Sequence, residues 1–198
     1  LSGGKLFVAL DPDFKTENLE NLRRFLADWG FKVRRDVVVD KMSTIEGVDA
    51  SVIVTKKFNK QHVITKDFQG RILFPLSSSI QLTGKNGYKQ DHLVFSSAFP
   101  ASWAESNLAS LSSGKVFFDN EDLKGPVTIA AVMQKNIYID KRMRMAVFSS
   151  SRFLLDGYRN QSVNYNLLMN TVTWLVEEDR LLSLDRPGLV QERIFMSK

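Results

Sequence analysis

The 198-residue chain contains no cysteine, which by itself removes three kinds of chemistry. Disulfide staples, thiolate metal sites and a cysteine nucleophile are all excluded. Histidine is nearly as scarce. His62 and His92 are the two present, and neither belongs to a pair at zinc-ligand spacing. His62, in "KQHVIT", reads as a brace for a turn, and His92 opens a strand. No apolar run approaches the ~18 residues of a membrane span, and no secretory leader is recognisable. Serines are plentiful, in Ser77-Ser78-Ser79 and Ser149-Ser150-Ser151, but no G-x-S-x-G elbow accompanies them. "FSSSR" follows a strand, where a nucleophile could sit. With no base at hand, turn and cap chemistry accounts for it better.

What is present describes an ordinary globular chain. Hydrophobic residues make up 43% and charged residues 25%, enough to bury a core without staples or metals. The formal net charge is +5, so anionic partners need considering. Yet the bases are mixed with acids: Arg34-Arg35 abuts Asp36, and Lys56-Lys57 stands alone with Lys60. Lys141-Arg142 with Arg144 is the densest cluster, and it leads straight into an apolar strand. No basic tail and no interleaved stacking aromatics occur, so specific nucleic-acid binding is not expected. The start at Leu1 without methionine, just ahead of a strand pattern, is what a piece of a larger protein would show.

Lys5–Leu10 is a short apolar run bounded by Gly-Gly and Asp-Pro, the pattern of a buried strand. Leu19, Leu22, Phe25, Leu26 and Trp29 then recur at three- and four-residue steps, one face of a helix. Thr16 can cap it, with Glu17 and Glu20 in its first turn, and Gly30 supplies the left-handed residue that stops it. Val37-Val38-Val39 follows as a strand, which makes a strand–helix–strand unit of the kind that builds parallel sheets. Further strands are expected at Ser51–Thr55, Arg71–Leu76, His92–Ser97, Val127–Met133 and Met143–Ser149. A last helix is expected from Asn164, as its N-cap, to about Asp179, with Leu167, Leu168, Thr171, Trp174 and Leu175 buried. The stretches Ser77–Gln90 and Ala98–Asn120 read as loops and hairpins elaborating the sheet. This alternation predicts one α/β domain over residues 1–198: a three-layer sandwich around a mostly parallel sheet.

Two constellations could carry chemistry. Gly3-Gly4 lies before the first strand, not between strand and helix, so it is no dinucleotide fingerprint. Asp11 and Asp13 at the strand's carboxyl end, with Asp40 ending "VVVD", could hold a divalent cation for a metal-assisted hydrolase. The competing reading is that Asp-Pro makes a turn and Asp13 solvates it. The second is "FPASWAES", where Trp103 in a loop either plugs the core or contacts a partner. With Tyr88 and Phe99 it could instead form the aromatic platform of a sugar- or peptidoglycan-binding module.

Six segments in order carry a family resemblance: "GGKLFVALDP", "NLENLRRFLADWGFKVRRDVVVD", "HVIT" with "ILFPLSSSI", "SSAFPASWAE", "GPVTIAAVM" and "NYNLLMNTVTWL". The chain resembles the extracytoplasmic domain of the auxiliary subunit of gliding-motility-type ABC transport systems, and the resemblance covers nearly its whole length. It departs from the family pattern at Val63, where proline is usual, and at Val163, where glycine is usual. The family's earlier strands and helices, and its two flanking transmembrane segments, are not in this sequence. "RPGLVQERIFMSK" resembles the approach to the second of those segments.

The resemblance implies a fold similar to the class I glutamine amidotransferase-like sandwich. Those enzymes use a cysteine nucleophile, and this chain has none, so a non-catalytic role without cofactor is expected. It implies a periplasmic domain, membrane-anchored through segments outside this chain, that works with the permease and ATPase of its transport system. The residues expected to engage a partner are His62, Thr65, Ser97, Ser102, Trp103 and Glu105. Gly30, Pro126, Asn164, Asn170 and Trp174 are expected to serve the scaffold.

Overall fold

A computed structural model describes residues 3–14, 19–45, 47–84, 87–114, 116–139, 141–159 and 163–177. The strands are β1 (Lys5–Ala9), β2 (Phe31–Val33), β3 (Val37–Asp40), β4 (Val52–Thr55), β5 (Ile72–Pro75) and β6 (Ile80–Leu82). They continue with β7 (Lys89–Phe95), β8 (Ser102–Glu105), β9 (Leu123–Lys124), β10 (Thr128–Tyr138) and β11 (Lys141–Phe148). The helices are α1 (Glu20–Asp28), α2 (Met42–Ile45), α3 (Leu108–Ser113), α4 (Asp156–Arg159) and α5 (Asn164–Leu175). A 3-10 turn spans Arg152–Leu154. Thr16, Glu17, Glu178, Asp179 and the "RPGLVQERIFMSK" segment lie outside the described residues.

The longest apolar runs build the centre. β10 and β11 form an antiparallel hairpin, and β1 adds alongside β11 in parallel. The main sheet runs β1-β11-β10-β6-β2, with β7 also pairing with β10. β3-β8-β9 and β4-β5 make two smaller sheets. The α/β class therefore holds, but the expected mostly parallel sheet does not: among the described residues the named ladders other than β1–β11 are antiparallel. The strand–helix–strand unit fails for a local reason. Arg34-Arg35-Asp36 interrupts the apolar run between β2 and β3, and Asp36 is buried with its carboxylate accepting from Ser79 N (2.7 Å) and Ser79 Oγ (2.6 Å). That anchor sends β2 to β6 and β3 to β8, and leaves β1 to find its parallel neighbour far along the chain.

Period-two alternation places two apolar clusters on opposite faces of the main sheet. Leu6, Val8, Met145, Val147, Ala131 and Met133 face α1 through Leu22 and Leu26. Phe7, Ala9, Ala146, Phe148, Ala130 and Val132 face α5 through Leu167, Trp174 and Leu175. The two small sheets share that second cover through Val38, Ala104, Ile53 and Phe74. The layer on this side is thus part helix and part strand rather than a helix layer of a three-layer sandwich.

Both helices differ from their sequence-based outlines. Phe25 of α1 is 41% exposed, and the buried place falls to Arg23 (8%), whose Nη1 donates to Val33 O (2.7 Å) and Arg34 O (2.8 Å). Gly30, with φ +87°, takes the left-handed conformation after α1, and its N–H donates to Ala27 O. α5 ends at Leu175, and Glu177 turns the chain away with φ +67°. Asn164 does not cap α5. Val163 holds the cap position, and the Asn164 side chain turns instead to β5 and the 3-10 turn.

Candidate functional site

The face of the sheet under α5 changes character where the helix ends. Along β10 the same face reads Ala130, Val132, Gln134, Asn136, and along β11 it reads Phe148, Ala146, Arg144, Arg142. The apolar half is covered by α5, and the polar half lies past Trp174 in the last turn of the helix. One rung of this half joins Lys5 of β1, Arg144 of β11, Gln134 of β10 and Lys89 of β7 as register partners. Asp91 sits two rungs on, on the same face, opposite Val132. The turn at Gln61–Val63 forms the far wall, and the cleft so enclosed measures about 430 Å3.

Arg144 is the keystone of this cleft. It is 2% exposed, its guanidinium stands over the Trp174 ring at 4.7 Å from the centroid, and its Nε donates to Gln134 Oε1 (3.0 Å). Its Nη1 also donates to the carbonyl of Trp174, one of the last carbonyls of α5. The His62 ring meets Trp174 edge-on at 5.4 Å, while Asn170 Nδ2 donates to Ile64 O (3.1 Å) and ties α5 to the His62 turn. Beside the cleft, Lys5 donates to Arg142 O (2.6 Å) and pairs with Glu177. The hydrogen bond from Lys5 holds the Glu177 carboxyl below the usual carboxylate range, with Arg144 and Arg142 adding to it. The lining of the cleft brings Lys89, Arg142 and Arg144 together with Asp91.

Of the residues expected to engage a partner, His62 alone lines this cleft, joined there by the scaffold residue Trp174. Thr65 is buried next to it and donates its hydroxyl to Asn59 O (2.6 Å). Ser97, Ser102, Trp103 and Glu105 gather elsewhere, around the β3–β8 ladder. "SWAE" is a buried strand, not a loop, because β3 on one side and β9 on the other satisfy its backbone. Trp103 is 1% exposed, with Lys41 Nζ over its ring and its Nε1 donating to Glu105 Oε2 (3.2 Å). Glu105 Oε1 accepts from Asn107 N, and Ser97 N donates to Asp40 Oδ2 (2.8 Å). This favours the plug reading of Trp103 on burial alone.

The carboxylates proposed for a metal do not gather. Asp11 accepts from Ser151 N (2.7 Å) and Ser151 Oγ (3.1 Å), a brace across to the end of β11. Asp40 accepts from Ser97 N and from Met42 N (3.1 Å). Among the described residues the one group with metal-like proximity is Glu105, Asp119 and Asp122, whose oxygens lie within 4.8 Å of one another. Those oxygens already accept from Trp103 Nε1, Asn107 N, Ser106 N and Asp119 N, so turn chemistry accounts for their closeness. Nor do the loop aromatics form a platform: Tyr88 packs on Trp29 at 5.8 Å and Phe99 on Phe118 at 4.7 Å, in separate places. His92 sits outside the cleft, 2.7 Å from Thr128 Oγ1, and Pro126 follows a cis bond after Gly125.

A profile of the family described as "ABC-type uncharacterized transport system" matches residues 1–176. The chain belongs to that family. No curated protein matches it in sequence. Among solved structures, the domain titled "mmIFT52 N-terminal domain" is similar with a TM-score of 0.58 at 15% identity. That match covers 88% of this chain and 65% of the other, so the chain spans just under two thirds of the solved one. The likeness is one of fold. What sequence reading missed in this family member is the cleft lining: Lys89, Gln134, Asn136, Arg142 and Arg144. The signal for it was the "KRMR" cluster, whose arginines alternate with methionines on one strand.

Proposed function

We propose that this domain is a non-catalytic binding component of its ABC-type transport system, of the gliding-motility type. It acts on the periplasmic side of the membrane, anchored by segments outside this chain and associated with the permease and ATPase. The cleft at the foot of α5 is its working site. The observation that carries the reading is the character of that cleft: charged and amide side chains of three strands converge beside Trp174 and His62. Ser149 Oγ donates to Ile129 O and Ser78 Oγ to Asp36 O, while Asp11 and Asp40 brace turns. Groups that would serve a hydrolase are thereby committed to backbone and to one another. Thr65, Ser97, Ser102, Trp103 and Glu105 contribute to partner engagement by shaping the elements they anchor, and His62 by direct contact.

The test is co-purification. The full-length protein, expressed with the permease and ATPase proposed as its partners, is expected to be retained through a tag on the ATPase. Retention of the ATPase and permease without the auxiliary protein, across detergents that keep the transporter active, would overturn the association.

A further inference from the structure

We infer that the tip of the β10–β11 hairpin docks the domain on an anionic membrane surface. Tyr138 and Ile139 enter the headgroup layer, and the basic side chains behind them meet the lipid phosphates. The membrane-anchored reading proposed above puts a bilayer within reach, and the inference rests on it for that alone. The first argument is the exposure of the tip. β10 and β11 are the longest strands, and they run on past the rung of Lys89, Gln134, Arg144 and Lys5, the last that they share with β7 and β1. At the end of this two-stranded ribbon Tyr138 is 70% exposed and Ile139 97%. A single exposed apolar side chain would mean little. Here two large ones are consecutive at the extremity of a protruding ribbon, and isoleucine is among the residue types most often buried. The second argument is turn chemistry. Tyr138 pairs with Lys141, so Ile139 and Asp140 make the connection. A two-residue connection favours Asn, Asp or Gly, so neither packing nor the turn asks for a β-branched aliphatic residue there. Charge is the third. Residues 135–142 carry Lys135, Lys141 and Arg142 against Asp140, a net charge of +2 (3 − 1), in a chain of net charge +5. Strand alternation puts Lys135 and Arg142 on opposite faces of the ribbon, so cations flank the apolar tip on both sides. An apolar tip with a basic collar suits an interface. The aliphatic side chain and the phenol ring leave water, the tyrosine hydroxyl stays at headgroup level, and each cation adds attraction to anionic lipid.

The experiment is co-sedimentation of the 198-residue chain with vesicles of equimolar phosphatidylglycerol and phosphatidylcholine, and with vesicles of phosphatidylcholine alone. Among the described residues no helix is long and apolar enough to cross a membrane, so the assay reads attachment to the surface. Binding to the mixed vesicles is expected, and binding to phosphatidylcholine should be weaker by about tenfold or more. Tyr138→Ser/Ile139→Ser should lose about tenfold or more on the mixed vesicles, and Lys135→Gln/Lys141→Gln should lose about as much. Both double variants should keep the wild-type melting midpoint, because the tip lies in water. Should the apolar double variant melt early, Ile139→Asp, at the most exposed of these positions, carries the same test. No binding to the mixed vesicles, equal binding to phosphatidylcholine, or affinity that survives the tip variants would each overturn the inference. So would a dimer of the free chain that Tyr138→Ser/Ile139→Ser turns into a monomer, which would assign the tip to a second copy. None of the four substituted residues lines the cleft, and the co-purification is run in detergent without a bilayer, so the two readings can fail separately.

Discussion

Asn164 offers the sharpest test of how the last helix is locked to the rest of the domain. The residue is 1% exposed at the start of α5. Its Oδ1 accepts from Leu73 N (2.9 Å), and its Nδ2 donates to Leu73 O (2.8 Å) and to Phe153 O (3.0 Å). β4 pairs with one edge of β5. On the other edge the side-chain amide takes the place of a neighbouring strand at Leu73. Asn164→Ala strands one backbone N–H and two carbonyls in a half-buried place. At about 1–3 kcal/mol for an unmet donor and less for carbonyls with a second lone pair, the loss comes to about 2–4 kcal/mol. For a domain of this size that is a fall in melting midpoint of roughly 4–16 °C.

Asn164→Asp separates donor from acceptor. The carboxylate still accepts from Leu73 N, but its second oxygen faces the two carbonyls that Nδ2 served, so the charged form is disfavoured. The carboxyl in the folded state should then titrate above the unfolded value of about 3.9. A raised folded pKa means that the stabilising contribution is full below the unfolded pKa and is lost as pH rises through the folded one. Urea denaturation at neutral and mildly acidic pH, on wild type and both variants, reads this directly. Relative to wild type, the Asp variant should be weak at neutral pH and recover on acidification, whereas the Ala deficit should stay constant. An Asp variant whose deficit does not change with pH, or an Ala variant within about 0.5 kcal/mol of wild type, would refute the clamp.

Three further outcomes follow from particular contacts. Gly125→Ala should cost about 1–3 kcal/mol or more in urea unfolding, because a Cβ there would run into Ser97 O and lie 2.7 Å from Ser102 O, both backbone atoms with no freedom to yield. Trp103→Ala should cost about 3–5 kcal/mol by calorimetry, since the ring is enclosed between β3 and β9; an unchanged melting curve would return Trp103 to the surface-contact reading. Burial pushes the Asp36 carboxyl above its ordinary range despite the bonds from Ser79 and the nearby Arg34. Its stabilising contribution is therefore full below the unfolded pKa and falls as pH rises through the folded one, so wild type should gain on Asp36→Asn as the pH is lowered from neutral, measured by urea midpoints.

The elements most legible in the sequence were those whose signal is local. β1, β10 and β11 follow from continuous apolar runs, Gly30 from the need for a left-handed residue after α1, and α5 from its three-and-four spacing. Sheet order was not legible, because pairing is decided between distant segments. The Arg34–Asp36 step is three residues long in sequence, but its effect passes through Ser79 and redirects two strands. Trp103 was read as a loop residue because nothing in "FPASWAES" shows that β3 and β9 will flank it. The cleft was obscured for a related reason. In "KRMRMAVF" the arginines and methionines alternate, which suggests one wet face and one dry one, yet on the arginine face Arg144 is buried on Trp174. His62 was singled out as a turn residue, and its turn proves to be the wall of the cleft.

The central claim is that an auxiliary transport domain acts through the cleft beyond Trp174. The most direct measurement is the ATP hydrolysis rate of the permease–ATPase complex in vesicles, alone, with the full-length auxiliary protein, and with its Lys89→Gln/Arg142→Gln variant. The account predicts that the wild-type protein changes the rate and that the variant, though folded and co-purifying, does not. A rate indifferent to the auxiliary protein, or altered equally by wild type and variant, would contradict it.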